Sequence, residues 1–305
     1  PASTRKPLPS WARGSTVDHL TRDGNLKGAI VMVASMAGFA VEDAFVKAAA
    51  EEMPLGMVLM FVGAIGTSVF AALVLRRGQP LWHTVMLSRP ILVRSGFEIT
   101  GRLFYALAIA LTPISVASAV LQASPLVVVA GAAVFFGEPV GPKRWIAILT
   151  GFVGVLLILR PGSSGFDALS LLAVVGTLGF AGRDLATRAA PKFLSNLQLG
   201  VAGFAMLTVA GAVIMAASRE FAVPDLSGIA LAVGAAVFGI AGYHALTIAM
   251  RTGEVGAVTP LRYTRLVFAM FVGILVFGET PDAFTLVGSV IVVAAGLFAL
   301  VPSRR

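Results

Sequence analysis

Arg94, Glu98 and Arg102 recur every fourth residue inside an otherwise apolar stretch. A helix stacks residues at that spacing on one face, so a carboxylate stands between two guanidinium groups. Two chemistries fit. The three can form a ladder of intrahelical ion pairs facing a protein interior, or Arg102 can meet the carboxylate of a bound molecule while Glu98 orients it. Arg94, nearer the start of the stretch, is expected to snorkel toward an aqueous face. Glu42 and Asp43, Arg183 and Asp184, and Arg262 and Arg265 also lie in apolar surroundings. An ionisable group in hydrocarbon costs about 2.5 kcal/mol or more unless it is paired or faces water, so each of these is a functional candidate.

The elements that must carry them are long apolar runs. The chain has 305 residues, 57% hydrophobic and only 12% charged, with a mean hydropathy of +0.92. A soluble domain carries about a quarter charged residues, so the composition indicates an all-α polytopic membrane protein. At about 20 residues per crossing, ten spans are predicted at 28–49, 54–75, 90–111, 115–136, 144–160, 168–188, 197–217, 228–250, 257–277 and 283–302. Glu42 and Asp43 interrupt the first apolar run, and a related segment recurs far inside the chain. Both argue against reading the start as a signal peptide.

The basic residues predict orientation. With residues 1–27 as a cytoplasmic polar tail, Arg5, Lys6, Arg13, Arg22, Lys27, Arg76, Arg77, Arg89, Lys143, Arg144, Arg188, Lys192, Arg251, Arg304 and Arg305 fall on one side. Only Lys47, Arg160 and Arg219 fall on the other. This is the positive-inside pattern, and it puts both termini in the cytoplasm. The basic residues form no continuous stripe, so nucleic acid is not an expected partner. The chain has no cysteine, no HExxH and no paired-histidine spacing, so neither a metal nor a cofactor is expected. A membrane-embedded enzyme is the alternative from another class, but the loops are too short for a catalytic domain.

The sequence also repeats. Gly38-Phe39-Ala40-Val41-Glu42-Asp43 resembles Gly179-Phe180-Ala181-Gly182-Arg183-Asp184, 141 positions later, and Lys47-Ala48-Ala49 answers Arg188-Ala189-Ala190. The same displacement relates Phe136-Gly137-Glu138 to Phe277-Gly278-Glu279. Tyr105-Ala106-Leu107 resembles His244-Ala245-Leu246 at 139, which predicts a short insertion. Each unit, 28–160 and 168–302, then holds five spans. Five is odd, so the second unit enters the membrane inverted, an arrangement common in alternating-access carriers with a midplane site.

The two Phe-Gly-Glu turns, each followed closely by proline, and the glycine-rich last spans carry a family resemblance. Those spans hold Gly151-Phe152-Val153-Gly154-Val155, and Gly288-Ser289 through Gly296-Leu297. Over residues 28–302 the sequence resembles the drug/metabolite transporter superfamily in its EamA-like ten-helix branch. The resemblance implies a central cavity lined by spans 1, 3, 4, 6, 8 and 9, with spans 5 and 10 peripheral. It also implies a secondary transporter of the bacterial inner membrane, most readily an exporter of amino acids, aromatic or neutral. An importer or exchanger of S-adenosylmethionine or a similar cofactor-like metabolite is the alternative.

On that frame Arg102, Glu98, Gln122, Tyr105, His244, Tyr243, Phe39 and Phe180 are the candidate substrate-binding residues. Arg102 stands about 18 Å from the start of its span, near the midplane. Asp184, with Arg183, is expected to pair with Arg262 or Arg265 as a cytoplasmic gate. Glu42 and Asp43 are placed in the outer half of span 1. They are candidates for proton coupling, with a local pair to Lys47 the favoured arrangement. Pro125 breaks a helical hydrogen bond inside span 4, and Pro260 opens span 9. The expected partners are a small-molecule substrate and membrane lipid, and the expected state is a monomer.

Overall fold

In the computed structural model, residues 10–81, 88–136, 141–160, 167–188, 194–252 and 259–300 are described. Trp82, His83, Gly137, Glu138, Pro161 to Ser164, Lys192, Arg304 and Arg305 lie outside them. The helices are α1 (Ser10–Glu52), α2 (Leu55–Arg76), α3 (Arg89–Leu111), α4 (Ile114–Leu121), α5 (Ser124–Phe136) and α6 (Pro142–Leu159). They continue with α7 (Ser170–Arg188), α8 (Asn196–Ser218), α9 (Leu226–Thr252), a 3₁₀ turn (Thr259–Tyr263), α10 (Thr264–Phe277) and α11 (Ala283–Leu300). Among the described residues, each predicted span overlaps one of these helices, with a break inside the fourth and a 3₁₀ turn at the start of the ninth. Leu26–Glu52, Leu55–Arg76, Ile114–Phe135, Asn196–Ser218 and Leu226–Leu246 are long and apolar enough to cross a membrane. Helices α3 and α7 interrupt their apolar surface with Arg94, Glu98, Arg102, Arg183 and Asp184. Phe152, Phe271 and Val290 are exposed on α6, α10 and α11, as a lipid-facing surface requires. The protein is thus an all-α membrane bundle of ten spans in two five-span units.

Helix pairing follows a two-fold pattern. Helix α1 packs on α9 as α3 packs on α7, and α1 meets α10 as α7 meets α4 and α5. Helices α2 and α8, and α6 and α11, pair with their own equivalents. Two glycine contacts fix the register. A Cβ on Gly38 would lie 3.3 Å from the Gly242 Cα, and one on Gly179 would collide with the Gly101 backbone. Gly38 and Gly179 are 141 apart, and so are Gly101 and Gly242. The ring of Phe39 covers Gly242 as that of Phe180 covers Gly101. Small residues at these crossings let the backbones approach closely where no hydrophobic drive operates between helices. The displacement is therefore 141 in this region too. The expected insertion is absent from the helix pairing, and Tyr105 corresponds to Leu246, not His244.

The spans that carry Pro125 and Pro260 are broken. Leu121 ends α4 and Ser124 begins α5, while the Thr259–Tyr263 turn precedes α10. The Pro125 nitrogen cannot donate to the Leu121 carbonyl, so the chain tightens first. The Gln122 N–H shares the Ser118 and Ala119 carbonyls at 3.3 and 3.2 Å, and the Ala123 N–H donates to the Val120 carbonyl at 3.0 Å. The break lies just before the proline. Gln122 and Tyr263, again 141 apart, occupy the two breaks at equivalent places.

Candidate functional site: a buried charge network between the two units

A chain of ion pairs runs through the bundle. Arg265 Nη2 donates to Asp43 Oδ2 at 2.6 Å, and the Tyr105 hydroxyl donates to the same oxygen at 3.2 Å. The Tyr105 hydroxyl also lies 3.4 Å from Ser118 Oγ on α4. Beside this pair, Arg102 stands 3.9 Å from Glu42 and 3.2 Å from Glu98. Glu98 also takes Arg94 at 3.3 Å and Arg183 at 3.4 Å. Arg183 reaches Asp184 at 2.8 Å, and Asp184 stands 3.9 Å from Arg262. Glu98 is only 2% exposed, Asp43 5% and Glu42 6%, so these three carboxylates are buried, while Arg102, Arg265 and Arg183 are partly exposed and Asp184 and Arg262 more so. The five arginines face four carboxylates, leaving one positive charge in excess.

Aromatic rings frame the charges. Arg265 lies over Phe39 at 5.2 Å and over Tyr105 at 5.4 Å, and Arg183 lies over Phe180 at 5.1 Å. Phe39 and Phe180 thus support arginines from equivalent positions. Arg102 lies over Phe204 at 5.6 Å, and Tyr243 packs edge-on to Phe204 and Phe70. Tyr243 is the position equivalent to Arg102, so the two converge on one ring from opposite units. A guanidinium held over an aromatic face is stabilised by the ring quadrupole.

Several expectations change. Arg94 does not snorkel: it is 4% exposed and bonded to Glu98, because α7 closes over that face with Arg183. Of the two arginines expected beside Asp184, Arg262 stands 3.9 Å from it, while Arg265 pairs with Asp43 instead. The expected pairing of Lys47 with Glu42 or Asp43 is replaced by cross-bundle pairs. Lys47 Nζ donates to the Ile109 and Thr112 carbonyls at 3.2 and 2.8 Å, where a cation complements the end of α3. Arg102 and Arg265 come from α3 and α10 to meet the acidic pair. His244 is exposed and follows Val233, Val237 and Ala241 at helical spacing. It therefore lies on the outward stripe of α9, away from the charges.

Sequence reasoning missed Glu279. Its carboxylate accepts from the Ile114 and Ser115 N–H groups at 2.7 and 3.1 Å. The N-cap of α4 is Pro113, which offers no side-chain cap. Gly278, at a φ of 62°, turns the chain so that Glu279 can reach across. The second Phe-Gly-Glu motif, Phe277-Gly278-Glu279, thus supplies a helix cap to the other unit. Lys47 and Glu279 hold the α3–α4 turn from its two sides. Glu279→Ala is expected to lower the melting point in detergent by about one to three degrees, since a lost cap costs about 1 kcal/mol. It should also raise thiol labelling of a cysteine placed at Thr112, which needs no cysteine-free background to be built. Unchanged labelling would show that the cap does not hold this turn closed.

A membrane bundle of two structurally equivalent five-span units, with ionised groups buried between them, is the architecture of a carrier. A model of the EamA-like transporter family matches residues 26–160 and again 166–301. The chain belongs to this family and is a transporter of small metabolites. It is 31% identical over 280 residues to the pseudopaline exporter CntI of Pseudomonas aeruginosa (strain PAO1), covering 88% of this chain and 94% of that protein. It is 30% identical over 215 residues to a riboflavin transporter of Rhizobium johnstonii, covering 70% and 69%. It is 26% identical over 229 residues to an S-adenosylmethionine uptake transporter of Rickettsia bellii, covering 73% and 77%. A solved crystal structure shares the fold, with a TM-score of 0.61 over 90% of this chain and 99% of that one, at 19% identity.

Proposed function

We propose that this protein exports zwitterionic, amino-acid-type metabolites across the bacterial inner membrane by alternating access. The observation that carries the reading is the buried Asp43–Arg265 pair at 2.6 Å, with Glu42 and Arg102 beside it. An ammonium and a carboxylate on one small molecule can replace the two halves of that pair charge for charge. The empty site is then satisfied by its own ions, and the loaded site by the cargo. The excess positive charge favours a carboxylate-bearing cargo. Arg102 and Glu98 orient the head group, Tyr105 holds Asp43, and Phe39, Phe180 and Tyr243 supply walls. Asp184, Arg183 and Arg262 form the cytoplasmic gate. Glu42 and Asp43 are the coupling carboxylates, exchanging a proton when cargo or arginine leaves them. The protein works as a monomer with both termini in the cytoplasm, and it is not an enzyme.

A second reading has support from the relatives named for riboflavin and S-adenosylmethionine, which are larger and richer in ring surface. Counterflow in proteoliposomes separates the two. Preloaded unlabelled amino acid is expected to drive uptake of labelled amino acid, with riboflavin and S-adenosylmethionine failing to compete. Competition by either of those two, with no amino-acid counterflow, would replace the first reading by the second.

A further inference from the structure

We infer that the two helix breaks form a second, neutral subsite in which Gln122 and Tyr263 donate hydrogen bonds to acceptor oxygens of the cargo. The amide Nε2 of Gln122 and the hydroxyl of Tyr263 are buried without a hydrogen-bond partner, and each residue is only 4% exposed. A buried unpaired donor costs about 1–3 kcal/mol, and native proteins seldom retain one without a use. Here two occur at positions 141 apart, so the repeat places them at equivalent points of opposite units. Each stands where its span loses regular helical bonding, and in carriers discontinuous helices build the substrate site.

Their surroundings lead to the charged pair. Gln122 follows Ser118 by one helical turn, and Ser118 lies 3.4 Å from the Tyr105 hydroxyl that donates to Asp43. Tyr263 precedes Arg265 by two residues and, as the N-cap of α10, leads into that helix's buried stripe Leu266, Ala269 and Gly273. That stripe ends beside Glu279, which caps α4, so it faces the helix that carries Gln122. Arg265 Nε is a third buried donor without a partner. Gln122 Nε2 and Arg265 Nε can only donate, and the Tyr263 hydroxyl can donate as well as accept, so an acceptor is the one partner type that satisfies all three. Resting on the zwitterion reading above, this narrows the cargo. It carries carbonyl or hydroxyl oxygens beyond its amino-acid head, which an aliphatic or purely aromatic amino acid lacks.

The test uses Tyr263→Phe and Gln122→Leu in the full chain. L-glutamine and L-leucine, similar in size, serve as competitors, with riboflavin as a third probe. Wild type should favour glutamine over leucine by tenfold or more, and each variant should cut that ratio about tenfold. In the empty protein, Tyr263→Phe should melt no lower than wild type, because it removes an unsatisfied hydroxyl. A lower melting point in the empty variant would mean a permanent partner and would overturn the subsite. Equal competition by leucine, or ratios unchanged in both variants, would overturn it as well. Should riboflavin alone compete in wild type, the zwitterion reading falls. The subsite then stands only if both variants weaken riboflavin competition.

Discussion

Glu98→Ala is expected to leave little folded protein. One carboxylate, 2% exposed, lies within 3.4 Å of Arg94, Arg102 and Arg183. Removing one partner of a single buried ion pair costs about 3–5 kcal/mol, because the remaining charge is left in low dielectric. Here one deletion strips an anion from three guanidinium groups on two helices. Total stability of a folded domain is only about 5–15 kcal/mol, so this single change takes a large share. Glu98→Gln keeps the acceptor oxygen and the shape while losing the charge, and should fall between alanine and wild type. Asp184→Asn should be mild by comparison. Asp184 is 27% exposed, Arg262 stands 3.9 Å away, and Arg183, 2.8 Å away, keeps Glu98 as a second anion, so less charge is stranded than at Glu98. Thermal melts in detergent check the order. A Glu98→Ala protein that melts within two degrees of wild type would mean the arginines find other anions without strain.

The membrane class, the spans and the two units were legible because bilayer thickness imposes length and composition directly on the chain. Charges that must be buried are also conspicuous against an apolar background, so Arg94, Glu98, Arg102, Arg183, Asp184, Arg262 and Arg265 stood out at once. Their pairings were not legible. Intrahelical spacing predicts neighbours on one helix, as for Arg94, Glu98 and Arg102, but Asp43 to Arg265 depends on how α1 meets α10. Lys47 illustrates the limit: four and five residues from its acidic neighbours, it still serves the end of α3. The breaks were half legible. Pro125 signals a lost hydrogen bond, yet the buried, unpartnered state of Gln122 and Tyr263 depends on packing. Glu279 was visible only as a family mark, because a cap supplied by a distant segment leaves no local pattern. His244 was misplaced because similarity around Tyr105 suggested a displacement of 139. The glycine contacts at Gly101 and Gly242 hold it at 141, which turns His244 to the outward stripe.

The exchange of ion pair for cargo predicts a separation of folding from transport at Asp43 and Arg265. Each single change, Asp43→Asn or Arg265→Ala, removes one side of the contact a zwitterion would use. Hydrogen bonds to charged groups contribute about 1.5–3 kcal/mol, which is roughly 10- to 150-fold in affinity. Counterflow should drop by about that factor in either variant. The single variants alone do not separate a binding role from a structural one, since each also leaves an unpaired buried charge or a hole. The charge swap does. Asp43→Arg with Arg265→Asp restores attraction between α1 and α10, so the protein should melt closer to wild type than either single variant. Cargo would now meet a site of inverted polarity, with Arg102 and Glu42 still in their original places, and exchange should stay at least 100-fold down. Recovery of transport together with stability would assign the pair to structure alone and move the binding role to Arg102. Stability without transport would mean that the cargo engages the two charges themselves.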